Sequence, residues 1–388
     1  MMPPARSSVL VPSAALLWGL QAAFLTPVLA LLLVSLYDAT TVQVGWVIAV
    51  YNASGFLAAL VIPARADRAR RYLPSLLVCA ALTAALAAAL ALSTSLPIAA
   101  VALAVLGGPA SSGFSLLFAH LRQSGATPNQ VVNTRAVVSF AWVAGPPIAT
   151  FLVGAFGDRS LLAALGVIGM LSVAVTALMM RGAASDRLRR PVVEQQTTMR
   201  PSRSTVAVVI GAFVAVQAGN AAAVAVMTLY VTESLGLGVV WAGAALAVAA
   251  GLEIPALLIM GRLSRRFTSL GLIIAGCLAG IAYCAAMAVL SGPIALLAVQ
   301  VLSAWLVAAV AGIGMTLFQD MIPQPGLAVG IYANTRRIGA IASGAIIAFG
   351  STSALGYRGV FVASGLVTAL ALLMLLVVRI RPSRSGHH

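Results

Sequence analysis

Apolar stretches long enough to cross a bilayer as helices recur along the whole chain, each closed by Arg, Pro, Gly or Asp. Six of them, at 9–36, 42–62, 73–92, 97–120, 131–156 and 161–180, precede a polar stretch. Six more follow it, at 205–231, 239–260, 270–290, 294–321, 327–349 and 356–378. A spanning α-helix needs roughly 20 such residues, and in lipid only helices and closed barrels satisfy every backbone N–H and C=O. The pattern therefore predicts an all-α membrane protein with twelve transmembrane helices. It divides into a six-helix bundle over 1–180, a cytoplasmic linker over 181–204, a second bundle over 205–380 and a cytoplasmic tail over 381–388. The tail ends in Gly386-His387-His388, which is expected to be a tag remnant. The first run exceeds the roughly 7–15 apolar residues of a signal peptide and is read as the first span.

Composition narrows the function classes. Of 388 residues, 61% are hydrophobic and 8% charged, against roughly 25% charged in a soluble domain, and no room is left for a soluble catalytic domain. The 23 basic residues outnumber the 8 acidic ones, giving a formal charge of +15. Their placement identifies what that charge is for. Arg65, Arg68, Arg70 and Arg71 follow the second run, Arg122 the fourth, and Arg262, Arg265 and Arg266 the eighth, while the linker and tail are also arginine-rich. The alternate connections carry only Arg159 and Arg358. By the positive-inside rule both termini are cytoplasmic, in what is expected to be a bacterial inner membrane, and nucleic acid is not a partner. Cys79, Cys277 and Cys284 lie within apolar runs and imply neither disulfide nor metal site. One internal histidine and scattered acids supply no nucleophile with a base and no ligand cluster, so neither an enzyme nor a cofactor is expected.

The two halves repeat. Asn133-Thr134-Arg135 and Asn334-Thr335-Arg336, expected to open the fifth and eleventh helices, are 201 residues apart. Leu117-Phe118-Ala119-His120 and Leu317-Phe318-Gln319-Asp320, ending the fourth and tenth, are 200 apart. Arg70-Arg71 and Arg265-Arg266, like Trp46 and Trp241, are 195 apart. Two pseudo-symmetric six-helix halves in parallel repeat are expected to hold a solute near the bilayer midplane.

Polar residues inside the spans are the candidate machinery, since an ionisable side chain at a helix centre costs roughly 2.5–3.5 kcal/mol and needs a partner or water. Glu253 is the deepest charge. Removal from water favours the neutral form of a carboxyl group, the property a proton carrier needs, so Glu253 is the expected proton-coupling residue, with Asp320 behind it. A structural acid bonded to a neighbouring helix is the alternative. Asp320 and His120, at equivalent helix ends, together with Arg135 and Arg336, are expected to gate, or else to be ordinary polar helix ends. Gln21, Asn52, Gln217 and Asn220 offer amides that suit a hydroxyl-rich solute, or bond helix to helix. Trp18, Trp142 and Trp305 lie near mid-membrane, where an indole can stack on a sugar ring or pack in the core. Pro146 and Pro147 are expected to loosen the fifth helix.

These residues resemble the sugar efflux transporters of the major facilitator superfamily. The likeness rests on Arg135-Ala136 with Phe140-Ala141-Trp142-Val143-Ala144-Gly145-Pro146-Pro147, on Gly251-Leu252-Glu253-Ile254-Pro255-Ala256, and on Ala311-Gly312-Ile313-Gly314-Met315 with Phe318-Gln319-Asp320. Leu20-Gln21-Ala22, Asn52, Asn220 and Asn334 also look like family positions. Gly145-Pro146 is similar to the exporter motif, and the loop after the second helix to the general superfamily motif, with Asp67, Arg68 and Arg71 retained and Asp67 and Arg71 implied as gating residues. Pro63 stands where that motif has its leading glycine and Arg70 where it has a later one. In the second copy Gly261 and Leu263 fit while Arg265 replaces the acid.

The resemblance implies the major facilitator fold and export of small sugars or glycosides in exchange for protons by alternating access. The residues alone reach a proton-coupled carrier of a small polar solute. The expected partners are a sugar-like solute, protons and membrane lipid, with the chain acting as a monomer. A multidrug exporter of the same fold and a non-transporting receptor or scaffold are the alternatives.

Overall fold

The computed structural model of the chain describes residues 5–187, 202–352 and 355–380. Among them are twelve long helical segments and no strand: α1 (Ala5–Tyr37), α2 (Thr41–Ala69), α3 (Tyr72–Leu92), α4 (Leu96–Gln123), α5 (Pro128–Phe156) and α6 (Asp158–Arg187). Then follow α7 (Arg203–Leu229), α8 (Val239–Leu263), α9 (Ser269–Val289), α10 (Pro293–Met321), α11 (Pro325–Ser351) and α12 (Tyr357–Ile380). Eleven of them contain a stretch long and apolar enough to span a membrane. The exception is α11, whose hydropathy is lowered by Arg336 and Arg337. The linker expected over 181–204 begins as helix, because α6 continues to Arg187. Residues 188–201 and the 381–388 tail lie outside the described residues.

Helix boundaries follow local chemistry. Thr40 caps α2 in a reciprocal box with Gln43, and Ser202 and Thr268 cap α7 and α9 by accepting the N–H groups of Thr205 and Gly271. α5 and α11 both start on a proline, whose fixed φ suits the first helical position and whose missing N–H would have no partner there. Both therefore begin earlier than the sequence reading has them. Asn133 and Asn334 do not open their helices but lie well inside them.

The chain forms two compact units. The first holds residues 1–127, 137–197 and 324–330; the second holds 128–136, 198–323 and 331–388. Within the first, α6 packs on α1 and α3, and α4 on α2 and α3, around Phe24, Leu29, Leu33, Leu86, Leu90, Leu103 and Leu165. Within the second, α12 packs on α7 and α9, and α10 on α8 and α9, around Met227, Tyr230, Tyr283, Met287 and Phe361. Each pairing recurs six helices later, as the internal repeat requires. Large apolar side chains such as Trp46, Phe151, Val289, Ile341, Phe349 and Leu366 point outward, an arrangement suited to lipid.

The repeat extends to a backbone irregularity. α4 and α10 each contain one π turn, at Leu103–Gly107 and Ala309–Ile313. A π turn displaces carbonyls from the ordinary i→i−4 ladder, and each turn is held by a hydroxyl from a neighbouring helix. Ser54 of α2 donates to the Ala104 carbonyl at 2.5 Å, and Tyr332 of α11 to the Val310 carbonyl at 3.1 Å. By contrast, α5 stays helical through Pro146 and Pro147.

Candidate functional site

The last turn of α2 meets the first turn of α11. Gly326 N–H donates to Asp67 Oδ1 and Leu327 N–H to Oδ2, both at 2.8 Å. A helix N-terminus leaves these N–H groups without intrahelical partners and carries a partial positive charge, so a carboxylate fits there. The Tyr72 hydroxyl donates to the same Oδ1. A Cβ on Gly326 would lie 2.9 Å from both Asp67 Oδ1 and Pro63 Cβ, so the close approach requires glycine. Pro63 has no N–H to donate to the Ala59 carbonyl, and Gly330 packs against that carbonyl. Arg70 ends α2 in the left-handed conformation, φ 49 and ψ 34, that glycine adopts without strain. The two departures from the superfamily motif, Pro63 and Arg70, thus leave its docking on α11 in place. Arg71 is exposed, immediately before α3, and makes no side-chain cap bond.

The second unit has a different counterpart. With the Asn129 amide oriented by its surroundings, its nitrogen donates to the Gly261 carbonyl at 2.8 Å and its oxygen accepts from Arg265 at 3.1 Å. The arginine that stands in place of the acid is therefore still used to join two helix ends, as a donor instead of an acceptor.

Residues of three helices, all within the second unit, bring charge together. Arg135 of α5 and Glu253 of α8 both act electrostatically on Arg336 of α11 and on Tyr332, one turn before it. Arg336 is eleven residues from the start of α11, roughly 16 Å at 1.5 Å per residue, and is exposed; Arg135 and Glu253 are half-buried. Tyr332 is buried among Phe213 and Phe318. Arg337 donates to the buried Asn334 at 2.8 Å. Pro255 leaves the carbonyl four residues before it, that of Gly251, without its helical donor close to Glu253.

The remaining candidates are spread over both units. In the first, Gln21 is buried and donates to Thr83 at 2.5 Å, while its Oε1 has no partner. Trp18, one turn earlier, is 4% exposed with its benzo ring on Gly113 and its Nε1 unpartnered. Asn52 is exposed and bonded to the Ile48 carbonyl, and Trp142 is half-buried. In the second unit Gln217, Asn220 and Trp305 are half-buried, with Gln217 against Gly339 of α11. His120 is half-buried at the end of α4, and Asp320 exposed at the end of α10. The sequence reading passed over Tyr332, Thr83 and Asn129. An aromatic one turn before a paired arginine was the available signal for Tyr332; nothing in the spacing marks the other two.

Comparison with known proteins sets this geometry in context. The sequence profile of the Major Facilitator Superfamily matches residues 13–343. Sugar efflux transporter A of Dickeya chrysanthemi is 32% identical over 213 residues, 55% of this chain and 54% of that protein. The chain thus spans about half the length of that relative. A Deinococcus radiodurans protein provisionally assigned as a sugar efflux transporter is 30% identical over 382 residues, 95% of this chain and 97% of the relative. Among solved structures, a bacterial homologue of the iron transporter ferroportin in its outward-facing state superposes with a TM-score of 0.74 at 15% identity, covering 96% of this chain and 99% of the other. The Escherichia coli fucose:proton symporter does so with 0.69 at 16% identity, covering 95% and 98%. At these identities the structural likeness speaks to the fold.

Proposed function

This chain belongs to the Major Facilitator Superfamily, and on that premise we propose that it exports small sugars or glycosides across a bacterial cytoplasmic membrane in exchange for protons, by alternating access. The observation that carries the reading is the likeness, over 95% of the chain, to a relative assigned to sugar efflux. In this reading Glu253 carries the proton, because it is the acid placed among helices α5, α8 and α11 beside two arginines. Solute and proton compete there, and protonation of Glu253 from outside drives release of the solute. Gln21, Asn52, Gln217 and Asn220 present amides to the solute, with Trp18, Trp142 and Trp305 as stacking surfaces, and Asp320 is a second proton site. Asp67, Arg71, Arg135, Arg336 and His120 control opening. The chain works as a monomer with both termini cytoplasmic.

The test is solute-induced proton movement in liposomes containing the purified protein, with lactose, glucose and arabinose in turn and Glu253→Gln alongside. Proton flux tied to one of these sugars and lost in the variant supports both the coupling and the role of Glu253. Folded protein that moves no protons with any sugar, but does so with a lipophilic cation, replaces the sugar reading with drug export.

A further inference from the structure

We propose that Trp18, Gln21 and Ser112 of the first unit enclose a binding site for one hydroxyl oxygen, supplied either by the carried solute or by a water. Each of the three has a buried polar atom, the indole Nε1, the amide Oε1 and the Oγ, with no partner among the described residues. Trp18 is 4%, Gln21 9% and Ser112 0% exposed. A polar group buried without a hydrogen bond is costly, and few folded proteins leave several together. Contacts among α1, α3 and α4 gather these three. The benzo ring of Trp18 lies on Gly113, the residue after Ser112, so closely that a side chain there would collide with it. Gln21 is one turn further along the same face of α1 and donates to Thr83 of α3 at 2.5 Å. Thr83 donates to the Cys79 carbonyl at 3.1 Å, and the Cys79 thiol to the carbonyl of Pro109, one turn before Ser112 in α4, at 3.5 Å.

The donors and acceptors define the occupant. An indole nitrogen only donates, an amide oxygen only accepts, and a serine hydroxyl does either. An atom that serves both Trp18 and Gln21 must accept one hydrogen and give another, as the oxygen of an O–H group does. A carboxylate has no hydrogen to give and an ammonium no lone pair to accept with. The internal repeat shows that the fold itself does not need this polarity. Phe213, 195 residues after Trp18, lies on Gly314 as Trp18 lies on Gly113, 201 residues before it. There the positions equivalent to Gln21 and Ser112 are Val216 and Ile313, both buried and apolar, and Phe213 packs edge-on against Phe318 at 5.0 Å. Of the two halves, the first keeps polar atoms at this place, and Trp18 acts there through its N–H while its ring is fixed on Gly113. A water as occupant stands on the geometry alone; a solute hydroxyl rests in addition on the carrier reading above.

The test is hydroxyl-radical labelling of the full-length protein in lipid nanodiscs by X-ray pulses, read by mass spectrometry, in buffer and with lactose, glucose or arabinose in turn. Radicals formed from a held water mark the side chain beside it. With each rate divided by that of the free amino acid, Trp18 in buffer should be labelled about tenfold faster than the equally buried Phe213, because an ordered water fills a polar site that no solute occupies. Labelling of Trp18 that falls with one of the sugars identifies a solute hydroxyl as the occupant, and labelling unchanged by all three identifies a resident water. Trp18 labelled no faster than Phe213 overturns the proposal. Ser112→Ala supplies an independent sign. With an occupant it removes one of three partners and should lower the melting temperature, whereas without one it removes an orphaned hydroxyl. An unchanged or raised melting temperature therefore also overturns the proposal, and either failure leaves the export reading to its own proton-flux test.

Discussion

The backbone carbonyl of Ala59 occupies the space that a side chain on Gly330 would need. Pro63 leaves that carbonyl without its helical donor, so the Cα of Gly330 can approach it, a contact of the weak Cα–H···O kind. Gly330→Ala must push the start of α11 off α2. Overpacking of this kind costs about 1–3 kcal/mol, and a lower melting temperature together with slower transport is expected. Gly344→Ala, where no neighbour lies within 4 Å, is the control and should match the wild-type protein in both measurements.

Asp67 holds the same junction by charge. Asp67→Ala leaves the Gly326 and Leu327 N–H groups without an acceptor, and loss of a hydrogen bond to a charged group costs roughly 1.5–3 kcal/mol. Asp67→Asn keeps one acceptor oxygen and should fall between the two. Cysteine-labelling rates at an introduced Leu327→Cys would read the opening directly, rising in the order wild type, Asn, Ala; equal rates in all three would mean that Asp67 does not hold the junction.

Arg70 carries a cost that can be removed. A non-glycine residue in the left-handed region is strained by about 1–3 kcal/mol, and its N–H bonds to the carbonyls of Ala66 and Asp67 are backbone bonds that glycine keeps. Arg70→Gly should therefore raise the melting temperature, with transport preserved. A lowered melting temperature would show that the arginine side chain contributes more than its backbone costs.

How much of this was legible beforehand differs by level. Eleven of the spans could be read because a run of about twenty predominantly apolar residues marks a crossing helix, and the paired strings at constant separation exposed the two-fold repeat. The starts of α5 and α11 could not be placed from hydropathy, because Pro128 and Pro325 begin them in polar sequence. Arg135, Glu253 and Arg336 were singled out one by one as charges in spans. Their meeting depends on how α5, α8 and α11 pack, and separations of more than eighty residues carry no such information. The loop motif could be matched residue by residue, but that an extra proline and a left-handed arginine still permit docking depends on backbone geometry.

The paired π turns yield a further prediction. Tyr332→Phe removes the donor from the Val310 carbonyl in α10, and Ser54→Ala removes it from the Ala104 carbonyl in α4. Each carbonyl then has to find another partner, at up to about 1–3 kcal/mol for the buried one of Val310, or the turn rewinds to regular helix and shifts the register of every residue beyond it. Slower hydrogen exchange across 103–113 in Ser54→Ala would identify rewinding, and faster exchange would identify local opening. Unchanged exchange would show that the hydroxyl does not hold the turn.

Asn129 and Arg265 can be tested as a pair. Asn129 donates to the Gly261 carbonyl and accepts from Arg265, so its two bonds tie the start of α5 to the end of α8. Removing either residue breaks the shared bond, but only Asn129 also serves the carbonyl. Asn129→Leu should therefore destabilise more than Arg265→Leu. In the double variant the second substitution has less left to break, and the coupling should be about 0.5–1.5 kcal/mol, the net worth of one such hydrogen bond. Thermal unfolding of the wild type, the two single variants and the double variant closes the cycle. Strict additivity would mean that Arg265 is an ordinary surface arginine of a basic loop, and that the second half of the molecule keeps its helix ends together without a counterpart to Asp67.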